Sequence, residues 1–158
     1  KGIRYIFDPG QALPALKAED LIQAITGCFI LIVNDYEFDL ILNKTELNKD
    51  ELLSLADSTI VTLGEKGSQL YTKKGAIHIA PFIARKGVDP TGGGDAYRGG
   101  LISGLAKGKG LVESSQLGSV CASFAVECYG TQEYNFTAEE FNERLQDGQE
   151  TFLVSRYF

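Results

Sequence analysis

Unbroken apolar runs alternate with amphipathic stretches through the first half of the chain. "RYIF" at residues 4–7 reads as a short strand closed by the turn signal Asp8-Pro9-Gly10. "AEDLIQAITG" follows with helical spacing and is stopped by Gly27. "CFILIV" at 28–33 is a continuous apolar run, which predicts a strand buried on both faces. After Asn34, "DYEFDLILNK" and "NKDELLSLAD" predict two short helices, and "STIVTLG" at 58–64 predicts another buried strand. "GSQLYTKKGAIHIA" alternates around Lys73-Lys74-Gly75, the pattern of a β-hairpin.

The second half is helical. "DAYRGGLISGLAKG" carries Gly99, Gly100 and Gly104, so something is expected to pack very closely on that helix. From Leu117 the apolar residues fall at 117, 120, 121, 124, 125 and 128, one stripe of a helix. Thr137 and Glu140 predict a capping box at the start of a last helix, with Phe136 and Phe141 as its hydrophobic staple. Buried strands separated by helices imply a doubly wound α/β layer, in which ligands bind at the carboxyl ends of the strands. Asp8-Pro9-Gly10, Asn34 to Glu37 and Thr62 to Gly67 fall at such ends. No internal repeat or low-complexity linker interrupts the pattern.

Composition narrows the partners. The chain has 158 residues, 44% of them hydrophobic, a size and balance that give one domain a real core. A net charge of −6 with no basic run disfavours nucleic acid, and the apolar stretches are too short to span a membrane. Cys28, Cys121 and Cys128 lack CxxC spacing and read as buried free thiols in a reducing cytoplasm. The only histidine, His78, lies in an alternating stretch and reads as a surface or edge-strand residue. The chain opens inside an apparent strand with no targeting arm ahead of it, which suggests part of a longer protein.

The chemistry concentrates in "DPTGGGDAYRGG", residues 89–100. Gly92, Gly93 and Gly94 at a helix start leave amides unpaired, and with the helix dipole they form an anion site that a phosphate can approach closely. A carboxylate beside a phosphate repels it, so Asp95 makes sense as a general base for a hydroxyl attacking phosphorus. The alternative is a flexible glycine loop with Asp95 as an ordinary helix-start acid. Neither G-x-x-x-x-G-K-[ST] nor G-x-G-x-x-G occurs, so no competing phosphate loop is present.

This stretch resembles the C-terminal signature of the ribokinase-like (PfkB) sugar and nucleoside kinases: aspartate, a spacer, threonine, glycine, a small residue, glycine, aspartate. Gly93 stands where that family usually has alanine or cysteine. "NDYE" is similar to the family's N-x-x-E element, and "VTLGEKGS" to the strand and turn bordering the nucleotide. "FDPGQ" and "ASFAVECYGTQEYNFT" look most like a bacterial branch of adenosine or carbohydrate kinases.

The resemblance implies a three-layer ribokinase-like (Rossmann-like) sheet flanked by helices, with residues 1–158 forming the C-terminal part of a single kinase domain. The family's N-terminal signature, first strands and lid are not in this sequence. By the same resemblance Asp95 is the catalytic base, and the amides of Gly92, Gly93 and Gly94 stabilise the transferring phosphoryl group. Thr62, Gly64 and Gly67 would line ATP or ADP, with Ala122 and Ala125 near the adenine. Asn34 and Glu37 would organise Mg²⁺ through water, and Asp89, Thr91 and Gly130 a monovalent cation such as K⁺. The implied reaction is ATP-dependent phosphorylation of a hydroxymethyl group on a sugar or nucleoside, adenosine first, in the cytoplasm. The other reading is a truncated, non-catalytic nucleotide-binding module or subunit. A sheet lacking strands would expose an edge that invites association or homo-oligomers, and without an acceptor pocket the 158 residues alone should phosphorylate little.

Overall fold

The computed structural model describes residues 2–154. Five strands, β1 (Ile6–Phe7), β2 (Ile30–Asn34), β3 (Ser58–Thr62), β4 (Ser68–Thr72) and β5 (Gly75–Ile79), form one sheet in the order β1-β2-β3-β4-β5. The first three strands are parallel, and β4 runs antiparallel to β3. The chain divides into two compact units. The first runs to Gly64 and includes Ser68–His78; the second comprises Glu65–Gly67 and the chain from Ile79 onward.

In the first unit β2 and β3 are the buried strands that the apolar runs predict. Residues 30–33 and 58–61 are buried throughout. Helices α1 (Ala18–Ile25), α2 (Asp35–Thr45) and α3 (Lys49–Leu55) supply Leu21, Ile25, Ile41 and Leu52 to the same core as Leu31 and Val33. Parallel strands need such crossovers, and α2 packs on both strands that it and α3 connect. Two boundaries differ from the reading of the sequence. β1 is shorter than "RYIF", with Arg4 and Tyr5 exposed ahead of it. β2 starts at Ile30 because Gly27, at φ +76°, ends the turn after α1, and the Cys28 amide donates back to the Ile25 carbonyl at 3.0 Å.

The second unit holds α4 (Gly93–Ala106), α5 (Leu111–Ala125) and α6 (Ala138–Val154). Helices α4 and α5 approach through glycine. A Cβ on Gly100 would lie 2.6 Å from the Leu117 carbonyl oxygen, and one on Gly104 would lie 2.7 Å from the Ser114 hydroxyl. On α5, a Cβ on Gly118 would lie 2.7 Å from the Tyr97 carbonyl. The close partner expected on α4 is therefore α5, while Gly99 faces open space. Helix α5 begins at Leu111, well ahead of the apolar stripe, because its buried face starts with Ser114, Ser115, Gly118 and Ser119. Small polar residues carry no hydrophobic signal, yet they let two backbones meet.

Helix α6 starts as its sequence predicts. The Glu140 amide donates to the Thr137 hydroxyl at 3.1 Å, and the Thr137 amide donates to the Glu140 carboxylate at 2.7 Å. Phe136 and Phe141 meet with ring centroids 5.6 Å apart. Arg144 is buried over the Phe124 ring at 3.5 Å and pairs with Glu127 at 3.0 Å, which fixes α6 to the end of α5.

All three cysteines are free. Cys28 is buried, whereas Cys121 and Cys128 are only half-buried, a partial departure from the expected set of buried thiols. Burial, with a smaller contribution from the Asp57 carboxylate, pushes the Cys28 thiol up to about 11. His78 is exposed on the edge strand β5. Among the described residues no helix is long and apolar enough to cross a membrane.

Candidate active site

In the second unit the segment ahead of α4 is tied down before the helix begins. The Val88 and Asp89 amides both donate to the Val126 carbonyl, at 2.8 and 3.2 Å. The Asp89 carboxylate accepts from the Thr91 amide at 2.9 Å and from the Gly130 amide at 3.1 Å. Hydrogen bonding from the Thr91 side chain, then from the Thr91 and Gly130 amides, holds the Asp89 carboxyl below the ordinary carboxylate range. Asp89, Thr91 and Gly130 thus come together as a clamp between two loops. The donors to the Asp89 carboxylate are the Thr91 side chain and the Thr91 and Gly130 amides.

The three glycines do different work. Gly92 caps α4 in the left-handed region at φ +84°, and a Cβ there would lie 2.9 Å from Thr131 Cα. Gly93 is buried, and its amide donates to the Pro90 carbonyl at 3.2 Å, so the turn consumes an amide that the sequence reading assigned to an anion. Gly94 has neither constraint. It is exposed, its φ is not left-handed, and the nearest group to a Cβ would be Arg98 Nη1 at 3.8 Å. No side chain caps this helix. The amides of Gly92, Gly94 and Asp95 meet no acceptor among the described residues.

Open amides at the positive end of a long helix, with no side chain capping them, suit a phosphate. Asp95 stands in the same turn, 70% exposed, with Oδ1 accepting from Arg98 Nη2. Arg98 was absent from the candidates drawn from sequence. Its signal was the spacing: an acid followed three residues later by a base is the favourable order for a helical pair.

In the first unit Asn34 and Thr62 end neighbouring strands and are register partners, so they share the carboxyl edge of the sheet. Asn34 caps α2: its side chain accepts from the Glu37 amide at 2.7 Å, and Glu37 Oε2 accepts from the Asn34 amide at 2.9 Å. The N-x-x-E element is thus a capping box, with Glu37 half-buried and its second oxygen still available. Gly64 opens a short 3-10 turn at φ +57°.

Two expected nucleotide residues have local explanations. Gly67, in the second unit, is left-handed at φ +83°, and a Cβ there would run into the Ile79 carbonyl and lie 2.8 Å from the Pro81 nitrogen. Ala125 is fully buried, and Ala122 is half-buried. Among the described residues no group of three His, Cys, Asp or Glu side chains could hold a metal ion directly.

The pfkB family carbohydrate kinase profile matches residues 1–138. A nucleoside kinase of Methanocaldococcus jannaschii is 41% identical over 140 residues, covering 89% of this chain and 46% of that protein. Among solved structures, Burkholderia thailandensis nucleoside kinase in complex with inosine superposes with a TM-score of 0.89 at 35% identity, over 93% of this chain and 48% of that one. The same kinase in complex with ADP-inosine gives a TM-score of 0.88 at 35% identity, over 92% and 46%. The chain spans about half the length of the relatives it matches. These likenesses are to nucleoside kinases and do not single out an adenosine-kinase branch.

Proposed function

Because the chain belongs to the pfkB family of carbohydrate kinases, we propose that it supplies the phosphate site and catalytic base of an ATP-dependent nucleoside kinase. In this reading it forms the C-terminal part of one kinase domain and acts in the cytoplasm. The observation that carries it is the start of α4: three amides without acceptors, an exposed Gly94 that the fold does not require, and Asp95 beside them.

The acceptor's hydroxyl oxygen attacks the γ-phosphorus of ATP, forming a new O–P bond as the bond to the bridging oxygen of ADP breaks. Asp95 takes the hydroxyl proton. The Gly92, Gly94 and Asp95 amides hold the phosphate oxygens, an electrostatic contribution preorganised by the helix start. A magnesium ion carried with the nucleotide would neutralise phosphate charge, and the second oxygen of Glu37 would hold it through water, since the ion keeps much of its hydration. Asn34 holds the other Glu37 oxygen in place. Thr62 and Gly64, at the end of β3, would border the nucleotide. Relatives named for nucleosides favour a nucleoside acceptor over a free sugar, with inosine and adenosine first.

Calorimetric titration of Mg·ADP into the chain tests the site, and saturable binding is expected. In the full-length kinase, Asp95→Asn should lower turnover about 10²–10⁴-fold while sparing ADP binding, across a panel of inosine, adenosine, ribose and fructose. Unchanged turnover in that variant would remove Asp95 as the base. A full-length protein that binds ADP and phosphorylates no acceptor would instead be a non-catalytic nucleotide module.

A further inference from the structure

We propose that Arg98 is the positioning residue for Asp95: it holds one carboxylate oxygen so that the other faces the acceptor hydroxyl's proton. This rests on the reading of Asp95 as the base. The pair is made within the first turns of α4, Arg98 Nη2 donating to Asp95 Oδ1, and Oδ2 has no partner among the described residues. The guanidinium reaches back along the helix toward its amino end, where Nη1 would be the nearest atom to a Cβ on Gly94. A cation there opposes the helix dipole. The negative charge of Asp95, and of a phosphate in the loaded site, offsets that opposition.

The geometry also answers a difficulty in the proposed chemistry. A carboxylate next to phosphates is repelled by them, and an exposed one swings among rotamers. Arg98 offsets the repulsion and restricts the swing, since its planar fork fixes direction as well as charge. Its own side chain is two-thirds covered, at 33% exposure, so it is itself held. An ordinary surface ion pair at this spacing would help the helix slightly and leave turnover alone.

Steady-state kinetics of the full-length kinase separate the two. Arg98→Gln should lower kcat about 10–100-fold, the cost of a misplaced catalytic group. KM for ATP and affinity for Mg·ADP should stay within about twofold of wild type, because the interaction matters only as the proton moves. Arg98→Lys should fall between, with a several-fold drop in kcat, since an ammonium restores charge without the fork. Melting curves show whether each variant is folded. If Arg98→Gln is not, Arg98→Lys carries the test, and wild-type kcat in it overturns the proposal. So does a wild-type kcat in a folded Arg98→Gln, or a loss confined to KM, which would make Arg98 a nucleotide ligand. Asp95→Asn runs alongside. Turnover retained there defeats the reading of Asp95 itself, whereas turnover lost there and kept in Arg98→Gln defeats only the role of Arg98.

Discussion

Helix α2 begins with its amides already answered. The Glu37 amide donates to the Asn34 side chain at 2.7 Å, and the Asn34 amide donates to Glu37 Oε2 at 2.9 Å. Helix α4 begins with a left-handed glycine and no side-chain cap, and the Gly94 and Asp95 amides meet no acceptor among the described residues. A capping residue typically contributes about 1 kcal/mol, so leaving α4 uncapped forgoes stability of that order. The order of the α4 start comes from outside the helix, through the Asp89 clamp and the Thr131 backbone under Gly92. One helix start is closed by its own side chains. The other is held rigid yet left open, the combination that an anion site needs.

Gly92 and Gly94 offer the strongest way to break this contrast. Alanine at 92 must adopt φ +84° and crowd Thr131, so Gly92→Ala should destabilise the fold by about 1–3 kcal/mol. Alanine at 94 meets only ordinary contact and replaces a helical glycine, so Gly94→Ala should hold or raise stability by up to about 1 kcal/mol. Its effect should fall on ligand binding. Displacing a phosphate from one charge-assisted hydrogen bond costs about 1.5–3 kcal/mol, a roughly 10–150-fold weaker affinity for Mg·ADP. Thermal melts and calorimetry on both variants read the two quantities separately. If Gly94→Ala is stable and binds ADP as the wild type does, the open helix start is not a phosphate site.

Helix α3 makes the next test possible, because it repeats the α2 box. Asn48 accepts from the Glu51 amide at 3.0 Å, and Glu51 Oε2 accepts from the Asn48 amide at 2.8 Å. Glu37→Gln and Glu51→Gln each keep an oxygen for the box and lose the charge. Both should cost about 0.3–1 kcal/mol through the helix dipole. Only Glu37→Gln should lower kinase activity, by about 10–100-fold, as for residues acting on a metal through an outer shell. Equal activity in the two variants would leave Asn34 and Glu37 as a cap and nothing more.

That pair also shows how far the sequence could be read. "NDYE" and "NKDE" carry the same spacing, and both are capping boxes. Only the place of Asn34, at the end of β2 beside Thr62, sets the first apart. The apolar run gave β2 directly, and β-branched residues gave β3, where Ser58 and Thr59 are buried beside Ile60 and Val61. The first turns of α5 were illegible, because Ser114, Ser115, Gly118 and Ser119 are buried by the glycines of α4 and not by their own hydrophobicity. The glycine run and Asp95 stood out from the start. Which glycine the backbone requires and which it does not depends on φ and on neighbours far along the chain, such as Thr131 and Val126. Arg98 drew no notice because one i, i+3 pair on a helix is ordinary until its acid is assigned a task.

The smallest expected effect concerns the clamp ahead of α4. The Asp89 carboxyl titrates below its ordinary value of 3.8 in the folded chain, through its bonds to Thr91 and Gly130. A depressed carboxyl contributes stability that is present above the unfolded value and lost as pH falls through the folded one. Asp89→Asn should therefore differ from wild type at neutral pH, with faster hydrogen exchange at the Thr91 and Gly130 amides. The difference should shrink as pH drops below 3.8 and vanish once Asp89 itself is protonated. The α2 start provides the internal reference: exchange at the Glu37 amide, bonded to Asn34 and remote in sequence from Asp89, should not respond to the substitution. Equal exchange at Thr91 and Gly130 in both proteins at neutral pH would mean that the backbone bonds to Val126 and the Gly92 contact with Thr131 hold the open helix start in place without the Asp89 carboxylate.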